Sequence, residues 1–255
     1  MFDSSKFDSE IIKQFDKTAE NYSKDYIFSN GTDLDTMLKQ AHLNPTTTVL
    51  DVATGAGHVA MKIAPFAKKV HAVDITPKMI SLLQDDLESK NIKNVETHIM
   101  HVNNLQFVDD SFDVVTCRFA THHFANVRAF LSEVKRVLRP KGKLILTDII
   151  APSSKPMEEF VNEINRLRDH THVRQFSESE WESILLEQNF AIVDRHNNPL
   201  RHDFESWLER AKTSKENRNR IVGMFRNSSE AQSQFQTDPQ MKFFIEDSMI
   251  FTAQV

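Results

Sequence analysis

The sequence predicts an α/β fold whose sheet is mostly parallel and carries helices on both faces. Three observations lead to this prediction. Short apolar, β-branched runs alternate with segments of helical periodicity between residues 47 and 150, and the links between them are short. Two of the five glycines, Gly55 and Gly57, fall in one three-residue window directly after the first apolar run. Strands and helices that alternate in this way are typical of doubly wound sheets.

Five strands are predicted in the first part of the chain, each from an apolar or β-branched run. They occupy residues 47–53, 69–75, 95–100, 112–119 and 143–150. Helices are predicted between them. One begins near His58, a second follows the capping residue Thr76 with Pro77 at its first position, and a third covers residues 127–138.

The pattern changes after Pro152, where helices dominate. Ser177 and Glu180 form a capping box that marks the start of one of them. The predicted segments are helices over residues 158–168 and 181–188 and strands over residues 191–196 and 248–255. Residues 204–235 are polar and helix-permissive, and we interpret them as an insertion between the last two strands.

Composition is that of a soluble globular protein. Of the 255 residues 40% are hydrophobic and 26% charged, and no apolar run approaches the roughly 18 residues of a membrane helix. The first residues have no apolar segment typical of a signal peptide, so we expect a cytoplasmic protein without a membrane partner. The single cysteine, Cys117, excludes an internal disulfide and a cysteine-rich metal site, and no metal is assigned. The net charge of −5 argues against nucleic acid as a partner.

A glycine loop and an acidic residue mark a candidate ligand site at the ends of the first two strands. Gly55, Gly57 and Ala60 form G-x-G-x-x-A, in which glycine permits a tight turn and the close approach of a ligand to the main chain. Asp74 lies 19 positions after Gly55, where a carboxylate can accept both hydrogen bonds of a ribose diol. The pattern indicates a nucleoside-containing ligand. The alternative is a tight turn followed by a helix-flanking aspartate.

The charge beside the loop bears on which nucleoside binds. Asp51 precedes Gly55 by four positions, and in a dinucleotide site it would put negative charge next to the pyrophosphate. A cationic ligand fits this position better. A nicotinamide-dependent oxidoreductase stays as an alternative, because it would explain Gly55, Gly57 and Asp74 although not Asp51.

Four segments of the chain carry a family resemblance. They read VLDVATGAGH, VHAVDITPKM, LQFVDDSFDVVTCRFATHHF and EVKRVLRPKGKLILTD. In this order they resemble the motifs of class I S-adenosylmethionine-dependent methyltransferases, most closely the branch with the ubiquinone and menaquinone biosynthesis enzymes. The resemblance covers residues 15–151 well and residues 166–190 more thinly. It implies a Rossmann-like fold with a seven-stranded, mostly parallel sheet whose last strand is antiparallel, and S-adenosyl-L-methionine as the cofactor.

The same resemblance implies a single methyltransferase domain over residues 1–255. Residues 1–45 are expected to form an N-terminal helical cap, and residues 46–152 the cofactor-binding core. Residues 153–255 are expected to supply the acceptor-side helices and the last strands.

Carried over position by position, the resemblance implies a cofactor site along the ends of the first four strands. The methionine part would lie among Asp51, Ala53, Gly55 and Gly57, with Asp51 near its ammonium group. Asp74 would hold the ribose hydroxyls. The further implied contacts are Ile75, Met79, His101, Val102 and Arg118.

One position departs from the family pattern, and Arg118 stands at another position of note. His101 and Val102 stand where relatives often carry an aspartate that reads the adenine amino group, so the main chain of Val102 is the expected partner. Arg118 falls where relatives have a small residue in contact with the cofactor.

Two groups of residues are candidates for the acceptor side. His122 and His123 follow the fourth strand, and imidazole, with an ordinary pKa of roughly 6.5, suits a general base. Packing or loop hydrogen bonding is the alternative for each. Arg168, His172 and Arg174 belong to the segment RLRDHTHVR and could bind an anionic or polar acceptor. The alternative is a solvated helix end.

The predicted activity is transfer of a methyl group from S-adenosylmethionine to a small-molecule acceptor. Tyr22 and Tyr26 could close over the cofactor, or pack in the core. Nucleic acid fits poorly, because CRFA is not the Pro-Pro-aromatic motif of DNA amino-methylating enzymes. Besides the oxidoreductase, a non-catalytic cofactor-binding module is an alternative. The acceptor, its attacking atom and the oligomeric state do not follow from the sequence.

Overall fold

A seven-stranded sheet and a separate strand pair account for the strands of the described chain. The structure is a computed structural model that describes residues 4–255, with all their side chains except those of Ser4, Ser5 and Tyr26. In chain order the strands are β1 (Thr48–Val52), β2 (Lys69–Asp74), β3 (Val95–Ile99), β4 (Phe112–Arg118), β5 (Leu138–Ile149), β6 (Ala191–Asn197), β7 (Leu200–Asp203), β8 (Phe243–Glu246) and β9 (Ser248–Gln254).

The central sheet has the strand order β3-β2-β1-β4-β5-β9-β6. β1 is parallel to both β2 and β4, and β3 and β5 extend the parallel part on either side. β9 is antiparallel to both β5 and β6. The predicted fold is therefore confirmed, including its antiparallel last strand. Because the strand order reverses at β1, the carboxyl ends of β1 and β4 flank the crevice in which doubly wound sheets bind ligands.

Helices of very different length connect and flank the strands. In chain order they are α1 (Ser4–Lys24), α2 (Tyr26–Asn30), α3 (Thr32–Ala41), α4 (His58–Ile63), α5 (Pro77–Ser89), α6 (Val127–Val137), α7 (Lys155–Arg168), α8 (Glu178–Glu187), α9 (Phe204–Arg210), α10 (Lys215–Arg226) and α11 (Ser229–Gln234). The sequence predicts the starts of two of them, although Thr76 makes no side-chain cap hydrogen bond before α5. Pro77 is the first residue of α5, and Ser177 and Glu180 form the predicted capping box of α8.

Two parts of the fold differ from the sequence prediction. β5 begins at Leu138, directly after α6, and not at residue 143, because Leu138 already pairs with Phe112 before a register shift in the ladder. β7 and β8 were not predicted. Each has only four residues, and they pair with each other between Leu200 and Glu246, at the two ends of the predicted insertion.

Apolar side chains fill both faces of the central sheet. On β1, Val49 packs with residues of α4 and α5, whereas Leu50 packs on the opposite face with residues of α6 and α8. A third cluster joins α7 to the insertion, and its aromatic members Phe204, Trp207 and Phe225 are at most 2% exposed. Burying such a side chain stabilises a fold by about 1.5–3 kcal/mol. The insertion is thus anchored on α7 by a core of its own.

The N-terminal helix α1 lies against both α5 and α9. Ala19 of α1 packs on Met79 of α5. Gln14 donates a hydrogen bond from Nε2 to the carbonyl oxygen of Ala211, at 3.0 Å, and Asn21 donates from Nδ2 to that of Glu209, at 3.3 Å. The first and last thirds of the chain therefore meet beside the crevice.

Candidate active site

The loop between β1 and α4 has a tight backbone with positive φ angles. Ala53, Gly55 and Gly57 have φ values of 53°, 54° and 82°. A Cβ atom at Gly57 would lie 2.1 Å from Cδ1 of Leu83, so only glycine fits between the loop and α5. A Cβ atom at Gly55 would meet nothing within 4 Å, and Gly55 lines a cavity. A ligand can therefore approach the main chain at Gly55.

Asp51 is a buried carboxylate at the end of β1, and no lysine or arginine of the described chain forms an ion pair with it. It accepts hydrogen bonds from the hydroxyls of Thr54 and Thr116, at 2.5 and 2.7 Å. Burial raises the pKa of Asp51 to about 6, although these hydrogen bonds act in the opposite direction. A cationic group bound beside Asp51 would supply the missing positive charge.

Asp74, at the end of β2, is held by main-chain N–H groups. Gly55 N donates to its Oδ2 atom at 2.9 Å, and Thr76 N donates to its Oδ1 atom at 2.8 Å. Burial raises the pKa of Asp74, against the effect of these hydrogen bonds. Each carboxylate oxygen keeps a free lone pair, so two hydroxyls can still donate to Asp74.

The chain after β3 forms the next wall of the cavity. His101 accepts a hydrogen bond at Nδ1 from Asn103 N, at 3.0 Å, and its Nε2 atom lies 3.4 Å from Oδ1 of Asp8 on α1. The Oδ1 atom of Asn103 is buried, lines the same cavity and has no hydrogen-bond partner among the described residues. Asn103 therefore offers a side-chain acceptor that the sequence analysis missed, two positions after the predicted His101.

These elements surround one cavity of about 540 Å³. It extends from the glycine loop along β1, β2 and β4 to the insertion. The predicted site residues that line it are Asp51, Ala53, Gly55, Asp74, Ile75, Met79, His101, Val102, Arg118, His122, His123 and Arg168. Three predicted residues do not line it, namely Gly57, His172 and Arg174. Of these, Gly57 packs behind the loop against Leu83.

Arg118 lines the cavity, but its guanidinium is occupied by the N-terminal helices. Nε and Nη2 donate to the carboxylate of Asp33, Nη1 donates to the carbonyl oxygen of Phe28, and Nη2 also donates to that of Ile27. All three guanidinium nitrogens thus have protein partners. The geometry gives Arg118 a positioning role that the sequence analysis did not predict.

His122 and Asp148 form a buried imidazole–carboxylate pair at the ends of β4 and β5. The Nδ1 atom of His122 lies 2.7 Å from Oδ1 of Asp148, which also accepts from Ile149 N at 2.8 Å. Burial acts to raise the pKa of Asp148, but the interaction with His122 and the hydrogen bonds from Thr121 and from Ile149 N together outweigh it, and the pKa is lowered. An ionised Asp148 fixes the tautomer with the proton on Nδ1, so Nε2 of His122 has a free lone pair.

His123 has a different environment from its neighbour. Its Nδ1 atom lies 3.0 Å from the carbonyl oxygen of Thr171, and its ring packs edge-on against Phe15 with centroids 5.1 Å apart. Burial, followed by the nearby charge of His122, lowers the pKa of His123 to about 4. At neutral pH His123 is an uncharged, packed side chain.

The three predicted acceptor-binding residues have separate surroundings. Arg168 lines the cavity, as predicted for an acceptor-side group. His172 is buried outside the cavity, where its Nε2 atom lies 3.0 Å from Oδ1 of Asn162. Arg174 forms ion pairs with Glu158 and Glu180 outside the cavity. These partners already occupy His172 and Arg174, and the structure does not bring either together with Arg168.

The insertion and the strands β7 and β8 that flank it contribute further cavity residues, which the sequence did not predict. They are Leu200, His202, Trp207, Arg210 and Glu246. A signal for the buried face was present, because Phe204, Trp207 and Leu208 have helical spacing. Tyr22 also lines the cavity, whereas the side chain of Tyr26 lies outside the described part of the structure.

Among the described residues, one group of three side chains is close enough together to hold a metal ion. His71, Glu96 and His98 offer ligand atoms within 4.8 Å of one another on β2 and β3. They do not line the cavity, and Nδ1 of His71 is hydrogen-bonded to Nε2 of His98 at 3.0 Å.

Among the helices of residues 4–255, none has both the length and the apolar character needed to span a membrane.

Comparison with known proteins connects this geometry to one family. Residues 50–146 match a family described as a methyltransferase domain. The uncharacterized methyltransferase YcgJ of Bacillus subtilis is 38% identical over 218 residues, which cover 85% of each chain. The demethylmenaquinone methyltransferase of Porphyromonas gingivalis is 35% identical over 119 residues, which cover 45% of this chain and 49% of the relative.

Solved structures agree with this relationship. The crystal structure of YcgJ superposes with a TM-score of 0.80 at 33% identity, and covers 87% of this chain and 97% of its own. The protein BH2331 of Bacillus halodurans superposes with a TM-score of 0.84 at 32% identity, with 88% and 99% covered.

Fold, cavity and relatives define a class I methyltransferase. The chain belongs to the S-adenosylmethionine-dependent methyltransferase family, and its cofactor is S-adenosyl-L-methionine. The resemblance stated from the four sequence motifs is confirmed, and its quinone-biosynthesis branch is represented among the relatives.

Proposed function

We propose that the protein methylates a small, largely apolar molecule that binds in the half of the cavity beyond the cofactor. One observation carries this proposal: a single cavity is lined both by the glycine loop after β1 and by a second wall with many apolar side chains. The apolar residues of that wall are Phe15, Phe28, Phe119, Ile149, Leu200 and Trp207. An apolar, water-poor site suits alignment of a nucleophile with an activated methyl group.

The cofactor half has groups that match each part of S-adenosylmethionine. Asp51, which has no ion-pair partner among the described residues, would bind the ammonium group of the methionine part, beside Ala53 and Gly55. Asp74 would accept from both ribose hydroxyls. The unpartnered Oδ1 atom of Asn103 supports a contact to the adenine amino group, in addition to the main chain of Val102. When bound, the cofactor supplies a methyl group activated by a positively charged sulfur.

The remaining predicted contacts complete the adenine end. Ile75, Met79 and His101 line the cavity beside Asn103, so they would enclose the ring. Gly57 and Arg118 would act indirectly. Gly57 lets the loop pack on Leu83, and Arg118 fixes the N-terminal helices.

His122 is the better general base of the two neighbouring histidines. Its Nδ1 is oriented by Asp148 and its Nε2 is free to take a proton from the acceptor. His123 is engaged by Thr171 and Phe15, and its lowered pKa makes it a weak base. We therefore assign proton removal to His122, and to His123 the packing of α1 on the cavity.

The two alternative functions have less support. A nicotinamide cofactor would bring its pyrophosphate next to the uncompensated Asp51, which opposes its binding. A non-catalytic binding module would not require an oriented base, whereas His122 and Asp148 provide one at the cavity. The named relatives in quinone biosynthesis act on small molecules, which favours such an acceptor over nucleic acid.

We also propose a cytoplasmic location. Cys117 is a free, buried thiol, as is usual in proteins of a reducing compartment.

Isotope transfer tests this proposal. The protein is incubated with methyl-deuterated S-adenosylmethionine and a bacterial extract, and the small-molecule, RNA and protein fractions are analysed by mass spectrometry. We expect the deuterated methyl group in a small molecule. His122→Gln should lower the rate by about 10²–10⁴, the usual contribution of a general base, and His123→Gln by less than tenfold. Label confined to RNA or protein, or equal losses in both variants, would contradict the proposal.

A further inference from the structure

We infer that the inner end of the acceptor half is a carboxylate-binding subsite, formed by Arg168 and Arg210 together with Tyr22 and Trp207. This inference rests on the proposed function and names its acceptor class: an organic acid whose carboxylate is attached to a flat, apolar body. The four residues are called the inner subsite below. All four line the cavity, and three of them were not predicted as acceptor-binding residues.

Arg168 lines the cavity, and its hydrogen-bond partners are neutral groups. Its Nε donates to the carbonyl oxygen of Trp207 at 2.9 Å, and its Nη2 donates to the hydroxyl of Tyr22 at 3.3 Å. Its guanidinium carbon lies 5.0 Å from the centroid of the Trp207 ring. No carboxylate of the described residues lies within the 4.0 Å of an ion pair, and Nη1 has no protein partner. A half-buried guanidinium without an ion-pair partner favours the binding of an anionic ligand.

Arg210 places a second guanidinium at the same end of the cavity. Its side chain is only 4% exposed, its Nη1 contacts Oδ2 of Asp25 at 2.6 Å, and its Nε is buried without a partner. Burial lowers the pKa of Arg210, and the positive charge of Arg168 lowers it further. The guanidinium carbon of Arg210 lies 5.8 Å from the centroid of the Tyr22 ring, whose hydroxyl accepts from Arg168. The two cations therefore flank one side chain, and an anion bound beside Tyr22 would relieve their repulsion.

The nearby protein carboxylate does not fill this role. Glu246 lines the cavity, but Oε1 accepts from Asn165 at 3.1 Å and from Gln175 at 2.7 Å, and Oε2 lies 3.2 Å from Nε2 of His202. Neither oxygen forms an ion pair with Arg168 or Arg210. Asp25 pairs with Arg210 alone, so Arg168 has no ion-pair partner within 4.0 Å among the described residues, although the buried carboxylate of Asp169 interacts with its charge at longer range.

The surroundings favour a carboxylate over a more highly charged anion. A carboxylate brings one negative charge, which matches the one guanidinium that has no ion-pair partner. A phosphate would bring up to two charges close to Asp25 and Glu246, which repel it. The guanidinium of Arg210 also lies 5.0 Å from the ring centroid of Phe28, so aromatic faces flank the subsite. A planar ring next to the carboxylate matches these faces.

A matched pair of probes tests the charge requirement. Calorimetry measures binding of 2-naphthoate and of 2-naphthamide to the protein saturated with S-adenosylhomocysteine. The two probes share a ring and differ in charge. We expect naphthoate to bind about 10- to 100-fold more tightly, the usual effect of a charge-assisted hydrogen bond. Arg168→Gln should remove this preference, and Arg168→Lys should retain part of it.

Arg174→Gln is the matched control variant, because Arg174 belongs to the same arginine-rich segment but pairs with Glu158 and Glu180 outside the cavity. It should bind naphthoate like the wild type. Thermal unfolding of each variant shows whether it is folded. Equal binding of the two probes, no binding of naphthoate, or an unchanged preference in Arg168→Gln overturns the subsite.

The same titrations separate this inference from the proposed function. Binding of S-adenosylhomocysteine is measured first and does not involve the inner subsite. If S-adenosylhomocysteine binds and the protein does not prefer naphthoate over naphthamide, the subsite alone is refuted. If deuterium transfer to small molecules fails while the naphthoate preference holds, the proposed function is refuted and the carboxylate site stands.

Discussion

Arg118 at the end of β4 and Asp33 on α3 form a buried ion pair across 85 positions of sequence. Nη2 of Arg118 donates to Oδ1 of Asp33 at 3.0 Å, Nε contacts the second carboxylate oxygen, and the side chains are 5% and 0% exposed. The pair attaches the N-terminal helices to the strand that leads into His122. It thereby couples the stability of these helices to the geometry of the candidate active site.

Removing one partner of this pair should destabilise the fold strongly. Asp33→Asn leaves a buried guanidinium without its counter-charge, which costs about 3–5 kcal/mol of unfolding free energy. Urea denaturation measures this loss. Asp35→Asn is the matched control, because Asp35 lies on the same helix and its ion pair with Lys62 is exposed. The control should unfold like the wild type. A similar stability in all three proteins would refute a structural role for the pair.

In the cofactor-free protein, the buried Asp51 carboxylate should lower the free energy of unfolding at neutral pH. Burial raises its folded pKa from 3.8 to about 6, so the folded state binds the proton more tightly than the unfolded state. Stability from this group is therefore greatest below about pH 4 and is lost as the pH rises through 6, by about 3 kcal/mol at most.

The substitution Asp51→Asn removes that titration. We expect the cofactor-free variant to be more stable than the wild type at pH 7.5, to lose most of this advantage at pH 4.5, and to bind S-adenosylmethionine weakly. Comparing the two proteins at each pH removes the contribution of His123, whose lowered pKa acts in the opposite direction. A stability difference that does not change with pH would refute the raised pKa.

Asp74→Asn should weaken S-adenosylmethionine binding by about 10- to 100-fold. The amide can accept on one side only, so one charge-assisted hydrogen bond to the ribose is lost. Calorimetry measures the affinity. Asp86→Asn on the outer face of α5, where Asp86 pairs with the exposed Lys90, is the control and should bind normally. Normal affinity in a folded Asp74→Asn protein rules out the ribose contact.

Gly57→Ala should destabilise the protein more than Gly55→Ala. Both positions have positive φ, which costs an alanine about 1–2 kcal/mol. Only at Gly57 does the new methyl group collide with Leu83, which adds about 1–3 kcal/mol. In the Gly57→Ala background, Leu83→Ala should therefore cost less stability than it does alone. If the two substitutions have additive effects on the free energy of unfolding in denaturant, the contact with Leu83 does not contribute to the destabilisation by Gly57→Ala.

The cofactor half of the site was predictable because its determinants are local in sequence. Asp51 and Asp74 lie at the carboxyl ends of β1 and β2, and Gly55 is in the loop after β1. The apolar, β-branched pattern predicts both strands, and parallel strands bring their carboxyl ends to one edge. Asn103 was missed because its role depends on an unpartnered side-chain oxygen, which no sequence pattern reveals.

The acceptor half depends on contacts between distant segments, which a single sequence does not specify. Arg168 and Arg174 are six positions apart in one arginine-rich segment, yet only Arg168 lines the cavity. Arg210 lies beside Arg168 because the insertion packs its aromatic core on α7. The strands β7 and β8 were also missed, since four residues carry too little periodicity to be detected and their pairing partners lie far apart.

The family match spans residues 50–146, which contain the cofactor loop, Asp74 and the His122 segment. Tyr22, Arg168, Trp207 and Arg210 all fall outside it. Substitutions in the two flanking segments can therefore change the wall that faces the acceptor while β1 to β4 and their loops stay intact. If the proposed function holds, changes confined to the flanks would alter the choice of acceptor and leave the binding of the methyl donor unchanged.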